Sequence, residues 1–166
     1  MKKNKNSNVR KQKRAKKNTE RKTRVSKNLN IRKKKAHDKE VREQLNDSEQ
    51  FIQKVNDFLM MYGTRLDADG VESLGVNSSK IIAILESIDK DLKDFDEEHL
   101  VLKNEAEEFF AETGGNEFSW LPTSIDLVSR IDNLRTRYSE LYVLNHQTLL
   151  TYCLLYTSPS PRDGNV

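Results

Sequence analysis

The chain has 166 residues, of which 33% are charged and 35% are hydrophobic, and its formal net charge is +3. This length and composition predict one small domain with a tail. They exclude an internal disulfide framework, because Cys153 is the single cysteine. The sequence contains no apolar run of about 18 residues and no signal-peptide core, so we expect neither a membrane span nor a secretory leader.

The first segment, residues 1–35, is strongly basic. It contains 12 Lys and 5 Arg but only one acid, Glu20, so its local charge is +16. Subtracting this charge from the total of +3 leaves −13 for the rest of the chain, and two oppositely charged segments therefore form a nearly neutral whole. Sizeable apolar residues are rare here, which predicts a disordered basic arm. They are Val9, Val25, Leu29 and Ile31.

This basic arm is the candidate binding segment. Lys and Arg at this density release counterions from a polyanion, so we expect it to bind nucleic acid or another polyanion without sequence specificity. No Phe, Tyr or Trp precedes Phe51, so stacking on bases is not indicated. A solvated tail and a nuclear-localisation signal at Lys33–Lys35 are the alternatives. The predicted binding residues are Lys2, Lys3, Lys5, Arg10, Lys11, Lys13, Arg14, Lys16, Lys17, Arg21, Lys22, Arg24, Lys27, Arg32, Lys33, Lys34 and Lys35.

An acidic segment with regular apolar spacing extends from residue 36 to residue 152. Its first apolar seam alternates steps of four and three residues, as one face of a coiled-coil helix does, and predicts a helix at about 38–62. Gly63 follows directly and suits the left-handed position that ends a helix. The seam residues are Val41, Leu45, Ser48, Ile52, Val55, Leu59 and Tyr62.

Residues 64–78 are predicted to form a loop, because they include Gly70 and Gly75. The string Asp67-Ala68-Asp69-Gly70 invites comparison with a calcium loop. An EF-hand, however, needs glycine at its sixth position and a bidentate glutamate at its twelfth. We therefore expect a turn with helix-capping residues here and no metal site.

The second seam gives the longest regular pattern in the chain and predicts a helix at about 79–112, ended by Gly114-Gly115. Its residues are Ile81, Leu85, Ile88, Leu92, Phe95, His99, Leu102, Ala106 and Phe109. We expect His99 to be a neutral or carboxylate-paired seam residue. The outer faces of this helix are acidic and form a possible self-masking surface that competes with nucleic acid for the arm. The masking candidates are Asp94, Asp96, Glu97 and Glu98.

The third seam predicts a helix at about 124–152. A short linker precedes it, and we expect Phe118, Trp120 and Leu121 to close one end of the bundle. Thr123, with Asp126 three residues later, fits a capping box at the helix start. The seam residues are Leu127, Ile131, Leu134, Tyr138, Leu141, Asn145 and Thr148.

The C-terminal string Cys153–Asp163 reads CLLYTSPSPRD. It resembles the translation of a transposase-type sequencing adapter. The resemblance implies that residues 153–166 are an artefact of a metagenomic reading frame. It also implies that the natural protein continues differently after residue 152.

Three seams joined by short loops predict an all-α fold, an antiparallel three-helix bundle or coiled-coil hairpin. A longer coiled coil that oligomerises is the alternative. The sequence shows no glycine-rich phosphate loop, no metal-binding histidine spacing and no native cysteine nucleophile. We therefore expect no enzyme activity, cofactor, metal or small-molecule substrate.

The leading interpretation is a non-enzymatic interaction protein. Its basic arm binds nucleic acid or another polyanion, and its helix seams self-associate or bind a protein partner. One alternative is a structural or assembly coiled-coil protein of a phage or virus, and another is the self-masked module. We expect an intracellular protein, cytoplasmic or associated with a virion or nucleoid, and nuclear only in a eukaryotic host.

Overall fold

The computed structural model describes residues 3–69, 78–115 and 117–157, and it describes side chains at 6–62, 79–115 and 117–152. These ranges contain three α-helices and no strand, which confirms the all-α prediction. Lys2, Gly70, Gly75 and residues 158–163 of the adapter-like string lie outside them. The helices are α1 (Lys3–Asp69), α2 (Ser78–Ala111) and α3 (Leu121–Thr157).

Helix α1 is much longer than the predicted 38–62. The sequence predicted a disordered arm at 1–35, whereas the structure has one continuous helix from Lys3 to Asp69. Neither proline nor glycine occurs before Gly63, and the Lys, Arg, Gln and Ala of the arm are strong helix formers. The packed second half of α1 supplies the nucleus from which this exposed half extends, because elongation is far easier than nucleation. The structure therefore corrects the predicted disorder to a helical arm.

Gly63 does not end α1, which continues for six further residues to Asp69. Residues 64–69, predicted to begin a loop, are thus helical, and they include Asp67, Ala68 and Asp69, where we expected a turn with helix-capping residues. A glycine inside a helix destabilises it by only about 1 kcal/mol relative to alanine, so Gly63 alone does not stop a long helix.

Helix α2 agrees with its prediction to within one residue at each end. After Ala111, the N–H of Glu112 donates to the carbonyl of Phe109 at 3.2 Å, which tightens the last turn. Gly114 and Gly115 then adopt positive φ angles of 95° and 45°, the backbone region that favours glycine.

Helix α3 begins at Leu121, three residues before its predicted start. The N–H of Ser124 donates to the carbonyl of Trp120 at 3.1 Å and closes the first turn. Thr123 therefore already lies inside the helix and is not its N-cap. Pro122 fits this first turn, where a backbone N–H would have no carbonyl to bind.

The helices pack on one another through the predicted seams. Contacts of α1 with α2 run in opposite order along the two helices, since Lys34 meets Phe109 and Phe51 meets Phe95. Two buried clusters result. The larger is formed by Val41, Leu45, Phe95, Leu102, Ala106, Phe109, Trp120, Leu127, Ile131 and Leu134, and the smaller by Val55, Ile88 and Leu92.

Because these seams bury one another within a single chain, they are occupied without a second copy. Seam residues from all three helices share the larger cluster. Self-association, if it occurs, must therefore use other surfaces. Exposed apolar side chains outside the clusters include Leu100, Val101, Val143 and Leu144.

The second half of α3 departs from its predicted seam. Leu141, predicted to face the core, is 39% exposed, whereas Tyr142 packs edge-on against Phe51 with ring centroids 6.0 Å apart. Leu149 is fully buried further along the helix. Tyr142 lies eleven residues after Ile131, and an eleven-residue step corresponds to about 3.67 residues per turn instead of 3.5. A helix that stays straight therefore turns Tyr142 toward the core in place of Leu141. The prediction of Leu141 as a buried seam residue, made from a strict 3.5 period, was wrong.

His99 is buried on the α2 seam, 4% exposed, and its ring stacks on Phe95 with an interplanar angle of 7°. Its Nε2 lies 3.8 Å from Oε1 of Glu49, too far for a hydrogen bond. Glu49 instead accepts a hydrogen bond of 2.8 Å from Nζ of Lys103. Burial lowers the pKa of His99 below its ordinary 6.5, and Lys103 adds to this, while Glu49 and Asp96 oppose it. The residue is therefore a neutral histidine within the core.

Stability should fall in mild acid because of His99. Its folded pKa is lowered, so below about pH 6.5 the unfolded chain binds a proton that the folded chain does not. The free energy of unfolding should then decrease, by up to ~1.4 kcal/mol per pH unit, until the folded pKa is reached. Urea unfolding at pH 5, 6 and 8 should show His99→Leu gaining on the wild type as pH falls.

Asn145→Leu, a polar-to-leucine change at a half-buried position without a titratable group, should keep the wild-type difference between pH 5 and pH 8. The pKa of Glu49 is lowered mainly by its hydrogen bond from Lys103, so its own stabilisation is lost only below about pH 4.5, outside this window. If the free energies of unfolding of His99→Leu and the wild type change in parallel with pH, His99 is not the cause of the loss of stability in mild acid.

Candidate nucleic-acid interface

The basic arm forms the N-terminal part of α1, and its side chains project into solvent on all sides. Every residue from 6 to 29 is exposed. From Lys3 to Leu29 the helix has 27 residues and extends about 40 Å at 1.5 Å per residue. Lys3 and Lys5 belong to it, but their side chains lie outside the described set. The predicted binding residues on its exposed length are Arg10, Lys11, Lys13, Arg14, Lys16, Lys17, Arg21, Lys22, Arg24 and Lys27.

A buried polar cluster joins the arm to the bundle. We call it the latch, and it consists of Asn30, Lys34, Asp38 and Trp120 with the backbone carbonyls that they contact. Asn30 is fully buried, and its Nδ2 donates to the carbonyls of Gly115 at 2.7 Å and Glu117 at 3.2 Å. Its Oδ1 accepts a hydrogen bond of 3.1 Å from Nε1 of Trp120. One side chain thereby satisfies two loop carbonyls and a buried indole N–H.

Lys34, predicted to bind polyanion, belongs to the latch instead. It is only 2% exposed, and its Nζ donates to the carbonyl of Phe109 at 2.8 Å and to the carboxylate of Asp38. The same Nζ lies 3.7 Å from the centroid of the Phe109 ring. Phe109 is in the last turn of α2, where carbonyls lack helical partners and a cation is favourable. Lys34 is therefore removed from the predicted binding set.

The neighbouring basic residues remain available. Arg32, Lys33 and Lys35 are exposed, and Nζ of Lys33 lies 5.2 Å from the ring centroid of Phe118. The loop after α2 lies close against α1 here. A Cβ on Gly114 would meet Cβ of Lys34 at 3.2 Å, so the absence of a side chain at Gly114 lets the loop lie against α1.

His37 completes this end of the bundle. Its Nδ1 lies 2.8 Å from Oγ of the buried Ser124, and its ring centroid is 5.1 Å from that of Trp120. The start of α3, the loop after α2 and the middle of α1 thus meet around Trp120. Because hydrogen bonds are directional, this contact fixes the direction in which the arm leaves the bundle.

The acidic residues suggested for self-masking lie far from the arm. Asp94, Asp96 and Glu97 are exposed on α2, and Glu98 is hydrogen-bonded to Arg137 at 2.6 Å. The adjacent Phe95 packs on Phe51. Phe51 is 21 residues beyond Asn30 on α1, or about 32 Å, whereas the arm extends from Asn30 in the other direction. Among the described side chains, no ion pair joins the arm to these acids. A continuous α1 thus keeps the arm away from them.

Other kinds of site find little support in the described parts of the chain. No three His, Cys, Asp or Glu side chains converge there in a way that would hold a metal ion. No helix in those ranges is both long and apolar enough to cross a membrane. Comparison of the chain with protein-family models, curated proteins and solved structures gives no match. A functional proposal therefore depends on the arm and the latch themselves.

Removing the latch amide should loosen the junction. Asn30→Ala leaves Nε1 of Trp120 and two loop carbonyls without this partner, and an unsatisfied buried polar group destabilises by about 1–3 kcal/mol. Trp120 is the single tryptophan, so its fluorescence reports directly on this site. We expect a lower urea midpoint and a red-shifted emission before unfolding. Asn28→Ala, exposed two residues earlier, should change neither, and equal effects of both substitutions would refute the latch.

Proposed function

We propose that this protein is a non-enzymatic helical interaction protein, an antiparallel three-helix bundle whose basic arm binds nucleic acid or another polyanion. Affinity in this proposal comes from phosphate contacts and is independent of sequence. The single observation that carries the proposal is the exposed, unneutralised charge of the arm. Its partner must therefore be found outside the bundle.

The charge density of the arm supports binding to a polyanion. Residues 6–29 hold ten Lys or Arg and one acid, Glu20, a net charge of +9 over roughly 36 Å of helix. None of these ten cations takes part in an ion pair within the described part of the chain. Double-stranded DNA carries one negative charge per about 1.7 Å of its axis, so it can neutralise the arm along its whole length.

The negative charge of the bundle should restrict contact with the polyanion to the arm. Many of its exposed carboxylates are already paired within the bundle, as Glu105 is with Arg130 and Asp47 with Arg135. The segment beyond residue 35 still has a net charge of −13 and repels a polyanion. Since Lys34 is held in the latch, the region offered to the partner ends close to Lys33 and Lys35. Binding should leave the bundle unchanged and involve the arm alone.

Neutralising arm cations should weaken binding and reduce its salt dependence. The variant Lys11→Gln, Lys16→Gln, Lys22→Gln removes three exposed charges while keeping good helix formers. Each lost phosphate contact should lower the slope of log K against log salt by about 0.9, so the slope should fall by up to ~2.7. Fluorescence anisotropy with a labelled duplex between 50 and 200 mM salt measures both quantities.

A matched control uses Lys39→Gln, Lys54→Gln, Lys90→Gln, which removes the same charge from exposed positions of the bundle. We expect this variant to bind as the wild type does, with an unchanged slope. If the two triple variants lose affinity equally, general charge and not the arm is responsible. If the wild type does not bind at 50 mM salt, the proposed function is wrong.

A further inference from the structure

The arm is not uniformly basic around its circumference. At 100° per residue, an arc of about 80° contains no charged residue between positions 6 and 29. We call this arc the neutral stripe, and each member is short or uncharged and exposed. Its members are Asn8, Gln12, Ala15, Thr19, Thr23 and Ser26.

Basic residues border the neutral stripe on both sides in matching register. Lys11 and Lys22 lie along one edge, and Lys16 and Lys27 lie along the other. Each pair is separated by eleven residues, about three helical turns. The remaining cations cover the back of the helix. Two rows of cations flanking an uncharged strip suit a partner with two walls of phosphate and an uncharged floor between them.

We propose that the neutral stripe faces the floor of the major groove of B-form duplex DNA, with the two lysine edges on the phosphates of opposite walls. The inference rests on the proposed function and adds to it the kind of nucleic acid and the face that binds. An α-helix with side chains is about 10–12 Å wide, and this groove is about 12 Å wide and 8.5 Å deep. The arm, about 40 Å long and free of proline and glycine, has the shape that such a groove admits.

The same geometry disfavours other nucleic acids. The major groove of duplex RNA is deep and narrow, and side chains do not reach its bases. Single strands are held by aromatic side chains on which bases stack, and the described arm contains none. B-form DNA is therefore the partner that fits both the width of the helix and its composition.

The chemistry of the stripe fits the groove floor. Amide side chains such as those of Asn8 and Gln12 both donate and accept, as base edges in this groove do. The hydroxyl of Thr19 already donates to the carbonyl of Ala15 at 2.8 Å, so its oxygen keeps lone pairs that accept from base amino groups. Ala15 is small enough for close approach and can contact a thymine methyl. The lysine edges supply the affinity and fix the register through phosphate contacts, while these short side chains let the helix approach the groove floor.

The latch sets the direction in which the stripe faces. Asn30 continues the stripe by one step of four residues and is the point at which the same face of α1 enters the bundle. Between Asn30 and Thr19 lie about 16 Å of helix, and between Asn30 and Asn8 about 33 Å, so the middle of the stripe is clear of the loop after α2. The latch thus fixes the direction in which the neutral stripe faces, and the rest of the arm extends clear of the bundle.

The first test asks which nucleic acid binds and through which groove. The intact chain is titrated at 50 mM salt with a duplex DNA of about 24 base pairs, the duplex RNA of the same sequence and one DNA strand alone. We expect the DNA duplex to bind at least tenfold more tightly than the other two. Dimethyl sulfate should then show protection at guanine N7, in the major groove, and unchanged reaction at adenine N3, in the minor groove.

The second test compares two variants of equal charge. Gln12→Glu, Thr19→Glu places two carboxylates on the stripe, whereas Lys13→Gln, Arg21→Gln removes two cations from the back; both change the net charge by −2. The two faces are about one helix diameter apart, close to the screening length of roughly 10 Å at 0.1 M salt. The stripe variant should lose at least tenfold more affinity for the DNA duplex, with equal helicity by circular dichroism.

The outcomes separate the two claims. Absence of binding by the wild type to any of the three nucleic acids overturns the proposed function and this inference together. Binding to the DNA duplex with equal losses in the two variants, or with protection at adenine N3 and not at guanine N7, overturns only the inference. Tighter binding to the RNA duplex or to the single strand has the same consequence.

Discussion

The contact on which the rest of this structure depends is the hydrogen-bonded pair of Asn30 and Trp120. It joins the middle of α1 to the loop between α2 and α3, and Lys34 adds a charge-assisted bond to the end of α2 beside it. Buried polar groups of this kind are unfavourable unless every partner is present, so they define one geometry where apolar packing tolerates several. C-terminal to the latch, α1 is part of the bundle; N-terminal to it, α1 is an exposed basic helix.

The latch also explains how the basic arm and the acidic bundle stay apart in one chain. A flexible arm of opposite charge would collapse onto the acidic bundle, because the two segments attract each other across short distances. A continuous helix prevents that collapse, since it directs the arm away from Asp94, Asp96 and Glu97 on α2. The stiffness of α1 therefore keeps the cations of the arm in solvent, and it fixes the side of the helix on which each of them lies.

Buried helix faces were predicted correctly where they consist of regularly spaced apolar residues, and they were missed where the spacing changes or the buried residues are polar. The α2 seam was predicted correctly at eight of its nine positions between Ile81 and Phe109, because apolar periodicity directly reports which face is buried; the ninth, Leu85, is only half-buried. Leu141 failed because a fixed 3.5 period ignores the freedom of a helix to stay straight. Asn30 and Lys34 were missed as core residues although they lie eleven and seven residues before Val41, on the same seam. A search for apolar residues does not detect a buried helix face whose next residues are polar.

The sequence by itself determined the helical class, the segregation of charge and most of the buried faces, since these follow from composition and local periodicity. Only the tertiary structure decided that the basic segment is helical, that Lys34 is unavailable to a ligand and that the neutral stripe has a fixed direction. These depend on contacts between residues 75 to 90 positions apart in the chain, such as Lys34 with Phe109 and Asn30 with Trp120. Local patterns carry no record of such distant partners, and a buried lysine looks like any other lysine until its partners are seen.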